Sequence, residues 1–143
     1  MLGVLCLALT IYHESRGEPI FGQRLVAEVV MNRVRSNKFP NTICEVVTEK
    51  RQFSYLTKSK YLQMPLSPQS WEQAVEITHE AIGNYIDGTM YSSDTKMLFY
   101  HSTSVNPVWN KKMMVSHRVG KHIFLTEKKT APLKSFSPQL RRK

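Results

Sequence analysis

Residues Leu2 to Tyr12 are almost all apolar, and a helix formed there would be buried on every side. The run ends in Tyr12-His13-Glu14-Ser15-Arg16-Gly17-Glu18-Pro19, where Gly17 and Pro19 stop a helix. It is too short to span a bilayer, lacks a basic leading region and has no small-residue cleavage site behind it, so it reads as a core helix. The spacing from Phe21 to Ser36 predicts the clearest amphipathic helix, with Leu25, Val26, Val29, Val30 and Val34 on one stripe. Arg24, Glu28, Asn32 and Arg35 form its polar face, and the i,i+4 pair Arg24 and Glu28 places Glu28 at the surface. Arg33 borders the stripe and reads as solvated, although its angle would let it reach a carboxylate at the end of the first helix.

Phe39-Pro40-Asn41 signals a turn, and Thr42 to Val47 fits either one helical turn or a strand. From Glu49 to Ser70 no period is sustained, so this stretch reads mostly as loop. Within it Gln52-Phe53-Ser54-Tyr55 joins hydrogen-bonding and aromatic groups suited to gripping a sugar; a Phe that anchors the loop to the core is the other reading. Ser70-Trp71-Glu72-Gln73 has the capping-box pattern and opens a second long helix. Its inward stripe is Trp71, Ala74, Val75, Thr78, Ala81, Ile82 and Tyr85; Glu72, Glu76 and Glu80 form a solvated face, and Asp87-Gly88 ends it. Met97 to His101 and Val119 to Phe124 are candidate strands. From Glu127 the chain is rich in Lys and Arg. The expected layout is one α+β, predominantly helical domain over residues 1–126 with a small β element, and a loosely attached basic tail over residues 127–143.

The length suits one domain. A formal net charge of +9 predicts attraction to polyanions without choosing among them. Cys6 and Cys44 each read as small buried hydrophobes; a bridge between them is possible but nothing in the sequence supports it. Two His-Glu dipeptides could begin a zinc-hydrolase motif, but Gly17 and Gly83 stand where its second histidine belongs. His117 and His122, five apart, would diverge on a helix. There is no GxSxG elbow, Walker loop or dinucleotide fingerprint. No metal and no cofactor is expected.

Glu14 then stands out. A carboxyl held against apolar and aromatic neighbours is disfavoured in its charged form, so its pKa rises and it can donate a proton near neutral pH, as a general acid for glycoside cleavage must. The alternative at this point is that Glu14 and Glu18 are solvated helix-end charges paired with Arg16.

With Tyr12 to Pro19, Val29-Val30-Met31-Asn32-Arg33-Val34, Phe39-Pro40-Asn41-Thr42-Ile43-Cys44 and Gln52-Phe53-Ser54 in order, the chain resembles the SleB-type cell wall hydrolases. These are spore-cortex lytic enzymes and their phage relatives, a branch of the lysozyme-like fold. Phe99-Tyr100-His101, Pro107-x-Trp109 and Val119-Gly120-Lys121-His122-Ile123-Phe124 are similar to the family's later part. His13 departs from it, since the family often has Gly there.

The resemblance implies that Glu14 is the catalytic acid, with Tyr12, Arg16, Glu18 and Arg33 in support. Gln52, Ser54, Tyr100 and His101 become candidates for orienting the sugar, and Phe53 and Trp109 for its apolar walls. A second carboxylate is hard to find, which favours a lytic transglycosylase that cleaves between N-acetylmuramic acid and N-acetylglucosamine without water. Glu18 would stabilise its own turn or pair with Arg16 or Arg33. The alternatives are a muramidase that uses water and, from another class, a basic nucleic-acid-binding module. The expected setting is a monomeric phage endolysin, made in the host cytoplasm without an export signal and without membrane insertion. It would act on peptidoglycan and bind the anionic envelope but no nucleic acid. With no separate wall-binding module expected, attachment falls to the domain's positive charge. Release of fragments from purified walls should therefore weaken as salt rises; activity that stays flat with ionic strength would rule out charge as the means of attachment.

Overall fold

The computed structural model describes residues 2–49, 67–89 and 94–127, apart from the side chains of residues 109 and 110. The apolar run forms α1 (Leu2–Ser15), buried from Cys6 to Tyr12. Its two buried hydroxyls are satisfied locally, Thr10 donating to the Cys6 carbonyl and Ser15 to the Ile11 carbonyl, each at 2.8 Å. Gly17 turns the chain at φ 86°, and Pro19 leads into α2 (Ile20–Arg35). The ambiguous apolar run is helical: α3 (Ile43–Thr48) is capped by Thr42, whose hydroxyl accepts from the Glu45 amide.

α4 (Pro68–Asp87) starts earlier than the capping box predicts. The cap is Ser67, accepting from the Ser70 amide, and Pro68 occupies the first turn, where its missing N–H costs nothing. Gly88, left-handed at φ 75°, ends it as expected. Among the described residues, no helix is long and apolar enough to cross a membrane.

The β element is a three-stranded antiparallel sheet of order β1-β3-β2, built from β1 (Met97–Ser102), β2 (Met113–Val119) and β3 (His122–Glu127). The fold is thus mostly helical with a small sheet, as the sequence implies. The single strand expected over Val119 to Phe124 is instead a hairpin: Val119 pairs with His122 across the two-residue turn Gly120-Lys121, with Gly120 at φ 56°. β2 lies at a sheet edge and none of its residues is buried, so its sequence lacks the inward apolar alternation that marks a half-buried strand.

Two apolar clusters meet on α2. One joins α1, α3 and α4 through Leu7, Ile11, Tyr12, Val30, Val46, Val47 and Ile77; the other joins the sheet through Leu25, Val26, Val29, Met97 and Phe124. α2 therefore touches α1, α3, α4 and β1, and the middle of its polar face is covered as well, while Arg35 stays exposed. This corrects two expectations: Glu28 (1% exposed) is not at the surface and Arg33 (3%) is not solvated. Arg24 reaches across to Glu80, at 3.1 Å. Asn32 donates through Nδ2 to the Asp94 and Met97 carbonyls, both at 3.0 Å, and Arg33 Nε donates to the Leu98 carbonyl at 2.7 Å. These bonds tie the first strand to the central helix.

Cys6 and Cys44 are bridged, with their Cα atoms 5.4 Å apart, which corrects the reading of two separate buried thiols. The pairing follows from α3 packing across α1, a tertiary contact that residue spacing does not reveal. Closing a loop between residues 38 apart stabilises the fold by about 4 kcal/mol on the chain-entropy account. Denaturant melts of the Cys6→Ala/Cys44→Ala variant should fall short of the oxidised wild type by roughly that amount. Identical midpoints for wild type with and without reductant would show that the bridge does not hold α3 to α1.

Candidate active site

Glu14 lies in the last turn of α1 and is half-buried. Tyr100, from β1, donates its hydroxyl to Glu14 Oε1. Burial pushes the carboxyl above its ordinary value of 4.5, and the Tyr100 hydrogen bond offsets part of that rise. The negative end of the α1 dipole acts in the same direction as burial. With Oε1 accepting from Tyr100, Oε2 is the oxygen left out of that bond. Glu14 is thus a carboxyl fixed in place at the edge of the helical core, and the reading of it as a merely solvated charge does not hold.

Tyr100 sits at the seam of the two clusters and packs against both. Beneath it Arg33 lies over the rings of Phe39 (4.8 Å) and Phe99 (5.2 Å). Burial pushes its guanidinium down to about 10, while Tyr100 and Glu49 act to raise it. Tyr12 does two jobs from the buried end of α1. Its hydroxyl accepts from the Ser67 amide at 2.9 Å, which anchors the cap of α4, and from Arg16 Nη1 at 2.6 Å, with that guanidinium over the ring.

Glu18 stabilises a turn, but a distant one. Its Oε1 accepts from the Lys121 amide at 2.8 Å in the β2–β3 hairpin, so the loop after α1 grips the sheet. A Cβ on Gly120 would stand 2.2 Å from that oxygen and 2.8 Å from Pro19 Cδ, so the contact depends on glycine. Among the described residues no ion pair joins Glu18 to Arg16 or Arg33; Glu18 is tied to the hairpin backbone instead.

His101 is adjacent to Tyr100 but faces the opposite side of β1; it is buried, with Nδ1 2.8 Å from the Ser102 carbonyl. The expected sugar contacts Gln52, Phe53 and Ser54 lie outside the described residues, as does the Trp109 side chain, whose backbone belongs to a short 3-10 helix (Val108–Lys112). The residue that the sequence reading missed is His122. Its ring stands 5.1 Å from that of Tyr100, edge to face, and 6.0 Å from Phe124. Placing His122 and Phe124 two apart on one strand would have put them on one face, but the register against Tyr100 comes only from pairing Tyr100 with Phe124.

The model of a cell wall hydrolase family matches residues 17–125, a span that begins just after Glu14. The chain is 33% identical over 119 residues to the spore cortex-lytic enzyme of Bacillus subtilis, covering 82% of this chain and 35% of that one. It spans 33% to 42% of the length of the curated relatives it matches. The crystal structure of the catalytic domain of the Bacillus cereus SleB protein superposes with a TM-score of 0.70 at 30% identity, covering 87% of this chain and 89% of that one. The catalytic domain of a germination-specific lytic transglycosylase, SleB from Bacillus anthracis, gives the same TM-score and identity over 87% and 93%.

The electrostatics at Glu14 have a thermodynamic consequence. Because its pKa is raised on folding, the folded state holds this proton more tightly than the unfolded chain. The stability it contributes is fully present below 4.5 and is lost as pH rises through the folded value. Glu14→Gln removes the titration while keeping shape. Its thermal midpoint should exceed that of wild type at alkaline pH, with the gap closing below 4.5. A constant gap across that range would mean that Glu14 is not perturbed.

Proposed function

The chain belongs to the cell wall hydrolase family, and on that premise we propose that it cleaves the glycan strand of peptidoglycan by lytic transglycosylation with Glu14 as both acid and base. The observation that carries this reading is a half-buried carboxyl, raised by burial and held through one oxygen by Tyr100. Glu14 Oε2 protonates the glycosidic oxygen that leaves C1 of N-acetylmuramic acid, and that oxygen takes the electron pair of the breaking C1–O bond. The same sugar's C6 hydroxyl oxygen bonds to C1, and its proton passes to the Glu14 carboxylate. The product is a 1,6-anhydro sugar, and the enzyme's proton is restored. Tyr100 stabilises the carboxylate between the two transfers.

A water-using muramidase would ordinarily need a second carboxylate to serve as nucleophile or base. The nearest in sequence, Glu18, commits Oε1 to the hairpin backbone, which favours the single-carboxylate route. Gln52, Phe53, Ser54 and Trp109 belong to the proposal as sugar contacts on the strength of the resemblance. The phage-lysis setting rests on the resemblance alone.

Glu14→Gln should lower turnover on purified peptidoglycan by about 10²–10⁴-fold or more, since one group serves both proton transfers. Glu18→Gln should keep measurable turnover. Mass spectrometry of wild-type digests should find anhydro ends; reducing ends carrying solvent oxygen would replace transglycosylation with hydrolysis, and a fully active Glu14→Gln would remove Glu14 from the chemistry.

A further inference from the structure

His122 opens β3 directly after the Gly120-Lys121 turn that Glu18 holds. Its two ring nitrogens have different surroundings. Among the described residues Nδ1 is buried with no hydrogen-bond partner. Nε2 makes no hydrogen bond to the described residues either, but it is not among their sealed, unpaired atoms, and the ring as a whole is half-buried. The ring meets Tyr100 edge to face, and Tyr100 holds Glu14, so His122 stands directly behind the group that positions the acid.

If packing were the whole role of this side chain, an apolar ring would serve better. It would fill the same space beside Tyr100 and Phe124 without burying an unsatisfied nitrogen. A histidine kept with one nitrogen sealed off and the other not, against the tyrosine that holds Glu14, suits a polar ligand. Resting on the reading of Glu14 as the acid of a glycan-cleaving site, we propose that His122 is a further substrate-binding residue, whose neutral imidazole pairs through Nε2 with a hydroxyl of the bound sugar.

The neutral form is the one the surroundings favour. Protonation would bury an N–H at Nδ1 with no acceptor, and burial lowers this imidazole below its ordinary 6.5. The titratable groups that face it are Glu18 from the loop after α1, which partly offsets that shift, Tyr100 from β1 and, beyond Tyr100, Glu14 of α1. β2 contributes the apolar Val119 as its cross-strand partner. Nε2 therefore carries the neutral ring's proton and would donate it to a sugar oxygen, while acidification adds at Nδ1 an N–H that has no acceptor among the described residues.

The test compares His122→Phe and His122→Gln with wild type, using a soluble tetrasaccharide of alternating N-acetylglucosamine and N-acetylmuramic acid. His122→Phe keeps the ring contacts and deletes the nitrogen. It should raise KM by about 2- to 10-fold, the worth of one neutral hydrogen bond, with kcat little changed. His122→Gln, which restores an N–H donor without titrating, should recover part of KM. Independently of either variant's folding, the same tetrasaccharide added to Glu14→Gln protein should shift the ring-nitrogen resonances of His122. An unchanged KM in a folded His122→Phe, or ring resonances that ignore the sugar, overturns the inference. Wild type that releases no product from the tetrasaccharide or from peptidoglycan defeats the reading of Glu14 instead, so the two failures are distinguishable.

Discussion

Asn32 and Arg33 sit side by side near the end of α2 and donate three hydrogen bonds to the backbone of β1 and the residues just before it. A strand has no other means of fixing its height against a helix than side-chain packing, which tolerates sliding; donors aimed at particular carbonyls do not. That tether sets where Tyr100 emerges, and Tyr100 sets Glu14. Since α1 packs on α2 as well, the two halves of the site are measured from the same central helix. Burying two polar side chains for this purpose is favourable because their donors find backbone carbonyls at hydrogen-bonding distance.

A second link closes the frame from the other side. Glu18 leaves the end of α1 and binds the hairpin turn that carries His122. The helical core and the sheet are thus joined at both ends of the strand pair, once through α2 and once through the loop after Glu14. Glu14 lies between these joints. This arrangement reconciles a rigid site with a raised pKa: the carboxyl is costly when ionised, and the surrounding contacts hold it where relaxation into solvent would otherwise occur.

How much of this was legible in the sequence varied with the range of the interaction. α1, α2, the end of α4 and the turn at Gly17 were legible because they depend on local periodicity and on glycine. Glu14 was legible as a carboxyl closing an apolar run. Glu28 and Arg33 were misplaced because amphipathicity predicts burial from one stripe, and a helix surrounded by four elements has no solvent face to spare over most of its length. The Ser67 cap was missed because Ser70 offered a better local pattern, while the Tyr12 hydroxyl that anchors Ser67 arrives from residues 55 away in the chain. The role of His122 was hidden for the same reason: alternation assigns a face, but only the β1–β3 register puts that face against Tyr100.

The bridge between Cys6 and Cys44 ties the shortest helix to the first one. Thiols stay reduced in the cytosol of most organisms and pair in extracellular and periplasmic surroundings. A molecule with this cross-link therefore has no single stability; it has a smaller one where the thiols are reduced and a larger one where they pair. Its durability is set by the redox poise of its surroundings as well as by its packing.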